Sequence, residues 1–157
     1  LLSEYSLTTP LKFSAGVAFL SKFGFISGDL ELINYSKAKY TSDLNGGDYS
    51  IDNGTTRDSY QSVINFRTGA EFRYELFRFR AGYSLMNNPY TSDLADGKIT
   101  SISGGAGIRG NRFYADVAVV TSKTQAARIP YYAERFTPVA QQKSTVTSAM
   151  VTVGYTF

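Results

Sequence analysis

The sequence predicts an all-β fold, namely an antiparallel up-and-down β-barrel that spans a membrane, with about seven strands in this chain. Segments of about ten residues alternate between apolar and polar side chains, and the connections between them are alternately short and long. No apolar run in the sequence has the length that a membrane helix requires, so any membrane embedding must use strands. We therefore interpret residues 1–157 as part of one barrel domain.

The clearest strand is the C-terminal segment, residues 144–157, which reads STVTSAMVTVGYTF. One face of this strand is apolar, and the other carries small, mostly polar side chains. A free strand with an apolar face would invite aggregation in water. Lipid would cover such a strand, as it does in transmembrane barrels. One apolar face of the extended chain collects Ala149, Val151, Val153, Tyr155 and Phe157.

The same alternation predicts six earlier strands, at residues 11–20, 26–40, 59–74, 77–85, 98–109 and 112–123. Tight turns are expected at 21–24, 75–76 and 110–111. Longer loops are expected at 41–57, 87–97 and 124–143, the first of them rich in the turn formers Asn and Gly. No strand is predicted in residues 1–9.

Two-residue turns also predict side-chain pairs. Across the turn at 75–76, Glu71 should lie opposite Arg80 on the polar face and form an ion pair. Across the turn at 110–111, Phe113 should pair with Ile108, and the Tyr114 ring should cover Gly107.

Soluble β-sandwiches and soluble lipid-binding barrels show the same alternation, but they point the apolar face inward. Long strands, aromatic residues near strand ends and unequal connections favour the apolar face outward, in lipid. Short turns then lie in the periplasm together with the C-terminus, Phe157. Because seven up-and-down strands cannot close by antiparallel pairing, we expect a segment before Leu1 or another chain to complete the barrel.

Composition excludes several functions. The absence of His removes Ser-His-Asp and Cys-His catalysis and most zinc sites, so we predict neither an enzyme nor a cofactor. A net charge of +3 is too small to indicate a nucleic-acid partner. The acidic loop with Asp43, Asp48 and Asp52 lacks the spacing of a calcium loop, so no metal site is predicted.

The order of five segments resembles the C-terminal half of FadL-type outer-membrane transporters. The most specific are the hairpins RTGAEFRY to FRFRAGYSL and GIRGNRFYAD, which are accompanied by SLTTPLKFSAGVAFL, GFISGDLELINYSKAKY and the closing VTVGYTF. The terminal aromatic also resembles the C-terminal signal of bacterial outer-membrane barrels.

The resemblance implies half of a 14-stranded barrel in the outer membrane of a Gram-negative bacterium, with an N-terminal hatch and the first strands outside this chain. It implies passive uptake of hydrophobic compounds such as long-chain fatty acids. Some relatives with this barrel are instead subunits of protein-secretion complexes, so a non-transporting scaffold is the alternative.

Two groups of residues are candidate ligand sites. On the polar face, arginines would hold a ligand carboxylate, or the charges would neutralise one another as a ladder of ion pairs, with Asp29 and Glu31 as counter-ions. In the last long loop, aromatic residues would capture a hydrophobic ligand or pack at the membrane interface. The first group comprises Arg67, Glu71, Arg78, Arg80 and Asp116, and the second comprises Tyr131, Tyr132 and Phe136.

Overall fold

The structure, a computed structural model, describes residues 5–42, 48–92, 97–128 and 140–157. Strands dominate it, with one α-helix and a single turn of 3-10 helix at Tyr35–Lys37. None of the helices in these ranges is long and apolar enough to cross a membrane. The elements are β1 (Ser6–Thr8), β2 (Lys12–Ser21), β3 (Gly24–Asn34), β4 (Lys39–Thr41), α1 (Ser50–Ser59), β5 (Ser62–Tyr74), β6 (Phe77–Met86), β7 (Ile99–Arg109), β8 (Phe113–Arg128) and β9 (Ala140–Tyr155).

Seven of the strands form one antiparallel sheet in the order β2-β3-β5-β6-β7-β8-β9. The prediction of an all-β, up-and-down arrangement is therefore confirmed. These strands contain from 10 residues in β2 to 16 in β8 and β9. Every one reaches the length of about nine to eleven residues with which a tilted strand crosses a bilayer.

The connections of the large sheet differ in length at its two ends, as the sequence predicts. Residues 22–23, 75–76 and 110–112 connect strands at one end, which we call the turn end. Residues 35–61, 87–98 and 129–139 connect strands at the other end, which we call the loop end. All long connections thus lie on one side of the sheet.

The described residues of the first long connection form more regular structure than the sequence predicts. The strand predicted at 26–40 ends at Asn34, and β4 belongs to a separate two-stranded sheet with β1. β1 lies in residues 1–9, where no strand was predicted. α1 begins in the loop predicted at 41–57 and extends to Ser59, so the strand predicted at 59–74 begins only at Ser62. This helix has no buried residue and therefore no apolar stripe to reveal it. At the start of this helix, the Ser50 N–H donates a hydrogen bond of 2.9 Å to the Asp48 carboxylate.

Three predictions for the last hairpins were also wrong. Phe113 does not pair with Ile108 and Tyr114 does not cover Gly107, because the turn is displaced and Tyr114 pairs with Arg109 instead. The Tyr114 ring lies over Gly154 of β9, where an added Cβ would come within 2.2 Å of it. The loop predicted at 124–143 is shorter, because backbone pairing of β8 with β9 continues through polar residues to Arg128.

Burial in the large sheet differs from that in a soluble protein, since the buried residues of the described ranges, glycines apart, are two apolar ones, Ile33 and Val63, and two polar ones, Glu31 and Asn65. Glu31 and Asn65, on the polar face, are only 4% and 2% exposed, whereas Phe19 and Val153, on the apolar face, are each 75% exposed. The polar face becomes more apolar toward the β9 edge. Other exposed side chains of the apolar face are Phe13, Val17, Ile26, Leu30, Phe72, Phe79 and Val151.

Candidate functional site

Charged side chains on the polar face form two clusters. The first, which we call the turn-side cluster, consists of Glu71, Arg73, Arg80 and Asp116. Glu71 lies directly opposite Arg80 in the β5–β6 register, and its Oε2 is 2.7 Å from Arg80 Nε. The ion pair predicted from the two-residue turn is therefore confirmed. Arg73 Nε binds the other oxygen of Glu71 at 2.6 Å.

The turn-side cluster extends across β7 to a third strand. Arg80 Nη1 lies 2.6 Å from Asp116 Oδ1 of β8. The two β7 residues beneath this contact are glycines, since Arg80 is opposite Gly105 and Asp116 is opposite Gly107. A Cβ at Gly107 would lie 2.0 Å from the Asp116 carboxylate, so the glycine leaves the space that this side chain occupies.

The second group, which we call the loop-side cluster, consists of Lys12, Asp29, Glu31, Asn65 and Arg67. Glu31 is nearly enclosed and forms ion pairs with Lys12 and, at 3.7 Å, with Arg67. Asn65 donates a hydrogen bond of 3.1 Å to Glu31, while Arg67 lies 3.9 Å from Asp29. The enclosed carboxylate is thus surrounded by donors, which offsets its cost of burial.

Within each cluster two basic and two acidic side chains balance one another. Lys12 and Arg67 match Asp29 and Glu31, and Arg73 and Arg80 match Glu71 and Asp116. This geometry corresponds to the predicted ladder of ion pairs, with Asp29 and Glu31 as counter-ions. Binding of a ligand carboxylate by these residues stays a prediction.

Arg78 lies apart from the other predicted polar-face residues. Its Nη1 donates hydrogen bonds to the backbone oxygens of Glu75, at 2.7 Å, and Phe77, at 2.8 Å. Arg109, near the same end, stacks over the Tyr114 ring at 5.2 Å. Neither arginine forms an ion pair with a carboxylate of the described ranges, so positive charge predominates here at the turn end.

The structure brings three of the five predicted polar-face residues together, namely Glu71, Arg80 and Asp116, whereas Arg67 belongs to the loop-side cluster. Tyr131, Tyr132 and Phe136 lie outside the described residues, as does Asp43. Sequence reasoning missed the contribution of Asn65, whose position in the alternation of β5 was the available signal. Across the described ranges, no group of three or more acidic side chains is placed to hold a metal ion.

Comparisons with protein-family models, with curated proteins and with solved structures found no match to this chain.

Proposed function

We propose that this chain is part of the wall of an outer-membrane β-barrel that serves as a passive channel for hydrophobic compounds such as long-chain fatty acids. The observation that carries this proposal is the exposure pattern of the large sheet, which encloses the carboxylates of Glu31 and Glu71 and exposes many large apolar side chains. In this proposal the protein lies in the outer membrane of a Gram-negative bacterium, with the turn end and Phe157 in the periplasm.

The energetics of the two faces support lipid on the apolar side. A large aliphatic or aromatic side chain gains about 1.5–3 kcal/mol when it leaves water, so a sheet that exposes many of them favours an apolar solvent. A bilayer supplies that solvent over the length of each strand. The balanced clusters on the other face suit a wet lumen, where paired charges contact water on one side only.

A complete barrel needs more strands than this sheet contains. β2 and β9 are its two edges, and the odd number of alternating strands makes them run in the same direction. We propose that a further segment or another chain pairs with both edges to give an even number of strands, 14 if the FadL resemblance holds. The hatch and the opening strands would come from that segment.

The balanced charges favour a second candidate function, that of a non-transporting scaffold subunit in an outer-membrane complex. Because the two clusters satisfy their own charges, few polar-face groups remain to recognise a ligand. In the scaffold the clusters would stiffen the barrel, and the long connections at the loop end would contact the partner chain.

Reconstitution separates these two functions. The complete protein, purified in detergent, is placed in liposomes, and entry of a fluorescent long-chain fatty acid is followed against liposomes containing an unrelated barrel. Co-purifying lipids are identified by mass spectrometry from the same preparations. Faster entry together with enrichment of an apolar compound supports the channel. If the fatty acid enters at the control rate, and a second polypeptide co-purifies with the barrel while no apolar compound is enriched, transport is rejected and the scaffold is supported.

A further inference from the structure

Three tyrosines from separate parts of the chain meet at the loop end. Tyr5 precedes β1, Tyr40 lies in β4, and Tyr49 immediately precedes α1. The ring centroids of Tyr5 and Tyr40 are 5.9 Å apart, and those of Tyr40 and Tyr49 are 6.0 Å apart. The ring planes are inclined by 59° and 33°, so the three rings do not form one flat stack.

These rings and Asp52, in the first turn of α1, line an open cleft of about 360 Å³. That volume is at the lower end of the range of about 300–1,000 Å³ that small-molecule sites occupy. The volume is sufficient for a compact group. Its lining consists of the side chains of three tyrosines and one aspartate.

Hydrogen bonds from the Asn53 side chain and pairing with β1 fix the backbone of Tyr40, which carries the central ring of this cleft. The Asn53 side chain accepts a hydrogen bond from the Tyr40 N–H at 2.7 Å and donates one to the Tyr40 carbonyl at 2.9 Å. On its other side, β4 pairs with β1, with Leu7 opposite Tyr40. The central part of the cleft is thus held by the fold, which reduces the entropy lost on binding.

Aromatic faces and a carboxylate together attract an organic cation. The negative face of an aromatic ring favours a cation, and a quaternary ammonium group suits such a lining because its methyl groups also make apolar contacts. Asp52 supplies the carboxylate of this lining. The full negative charge of Asp52 exceeds the partial positive charge of the helix N-terminus.

We propose that the cleft of Tyr5, Tyr40, Tyr49 and Asp52 is a binding site for a trimethylammonium group. The group belongs either to a small molecule of the choline type or to the headgroup of a choline lipid. This proposal does not rest on the proposed transport function, since the cleft is formed by Tyr5, before β1, and by three residues of the connection between β3 and β5.

Calorimetric titration of the complete protein with choline tests this site. The detergent is a maltoside, because amine-oxide and phosphocholine detergents carry groups resembling the ligand. The matched probe is the neutral isostere of choline, in which a tert-butyl group replaces trimethylammonium. We expect saturable choline binding and about tenfold weaker binding of the isostere, since the isostere lacks the charge. Equal binding of both probes, or no binding of choline, overturns the proposal.

Variants assign the binding to this cleft. Tyr5 is 60% exposed, so Tyr5→Leu is compatible with folding, and it should weaken choline binding about two- to fivefold. Tyr5→Phe keeps the ring and should bind as the unmodified protein does, whereas Asp52→Asn should bind more weakly. If Tyr5→Leu and Asp52→Asn both retain full affinity, the site lies elsewhere and the proposal fails.

The source of the group is distinguished by liposomes. If the ligand is a choline lipid, excess phosphatidylcholine vesicles should reduce the choline response of the protein more than phosphatidylglycerol vesicles do. If the ligand is a small molecule, both vesicles should leave the response unchanged. A response that phosphatidylglycerol alone suppresses indicates general charge attraction and contradicts the site.

Discussion

Glu71 is the residue on which the turn-side cluster depends, because its side chain is only 8% exposed and binds two arginines. Glu71→Gln keeps the shape but removes the charge, so Arg73 and Arg80 lose their common partner. We expect the free energy of unfolding to fall by about 1–2 kcal/mol, a range that allows for solvent screening of the half-exposed arginines. Denaturant-induced unfolding in detergent micelles measures this change.

Glu75→Gln is the matched control for that variant. Glu75 lies in the exposed β5–β6 turn, and its carboxylate forms no ion pair in the described part of the chain. Its replacement should change the free energy of unfolding by less than about 0.5 kcal/mol. Equal effects of the two substitutions would show that Glu71 contributes no more than a surface charge.

Gly24, at the start of β3, has a backbone φ of +142°, which side chains rarely allow. An added Cβ would also lie 1.8 Å from the Glu71 backbone oxygen, so Gly24→Ala must displace either β3 or β5. We expect a loss of at least about 2 kcal/mol in unfolding free energy, with less protein recovered in folded form.

Gly54, inside α1, is the contrasting glycine, because no atom lies within 4 Å of a Cβ added there. Gly54→Ala should stabilise the exposed helix by about 0.5–1 kcal/mol, since alanine loses less backbone entropy on folding. A Gly24→Ala protein as stable as Gly54→Ala would contradict the close approach of β3 to β5.

Among the elements, the small sheet of β1 and β4 depends on α1 through Asn53. Asn53→Ala removes both hydrogen bonds to Tyr40, which should accelerate hydrogen exchange at the Tyr40 amide by about tenfold. Amides in the middle of β5 and β6 should exchange at unchanged rates, because the large sheet does not contact Asn53 through these bonds. Exchange that accelerates equally in both sheets would mean that Asn53 stabilises the whole protein rather than this connection.

Elements with a local pattern could be predicted from the sequence, whereas those fixed by distant contacts could not. The seven long strands follow a period of two residues, and the tight turn at 75–76 fixes the contact of Glu71 with Arg80. The end of β3, the small sheet and α1 depend on partners such as Asn53 and Tyr40, which are 13 residues apart. No alternation in the sequence encodes such a contact.

The candidate site shows the same division. Pairing between adjacent strands could be predicted, but the contact of Arg80 with Asp116 reaches across β7 and depends on Gly105 and Gly107. Because the β7–β8 turn is displaced, Tyr114 lies opposite Arg109 and not opposite Gly107 as predicted. The shift was an even number of residues, so each side chain kept its predicted face.

For the whole molecule, the proposed orientation requires lipid on the apolar face and water on the polar face. The sequence contains no cysteine, so single cysteines introduced at Val151 and Thr152 can carry a spin label without further changes. These neighbours in β9 lie on opposite faces, opposite Val117 and Asp116 respectively. They differ in face and share the same depth along the strand.

The most direct test is the accessibility of these two labels in liposomes that contain the complete protein. We predict that the Val151→Cys label collides with oxygen, which concentrates in the bilayer, and that the Thr152→Cys label collides with a water-soluble nickel complex. The reverse result, or two labels equally accessible to the nickel complex, would show that the apolar face does not contact lipid and would contradict a membrane barrel.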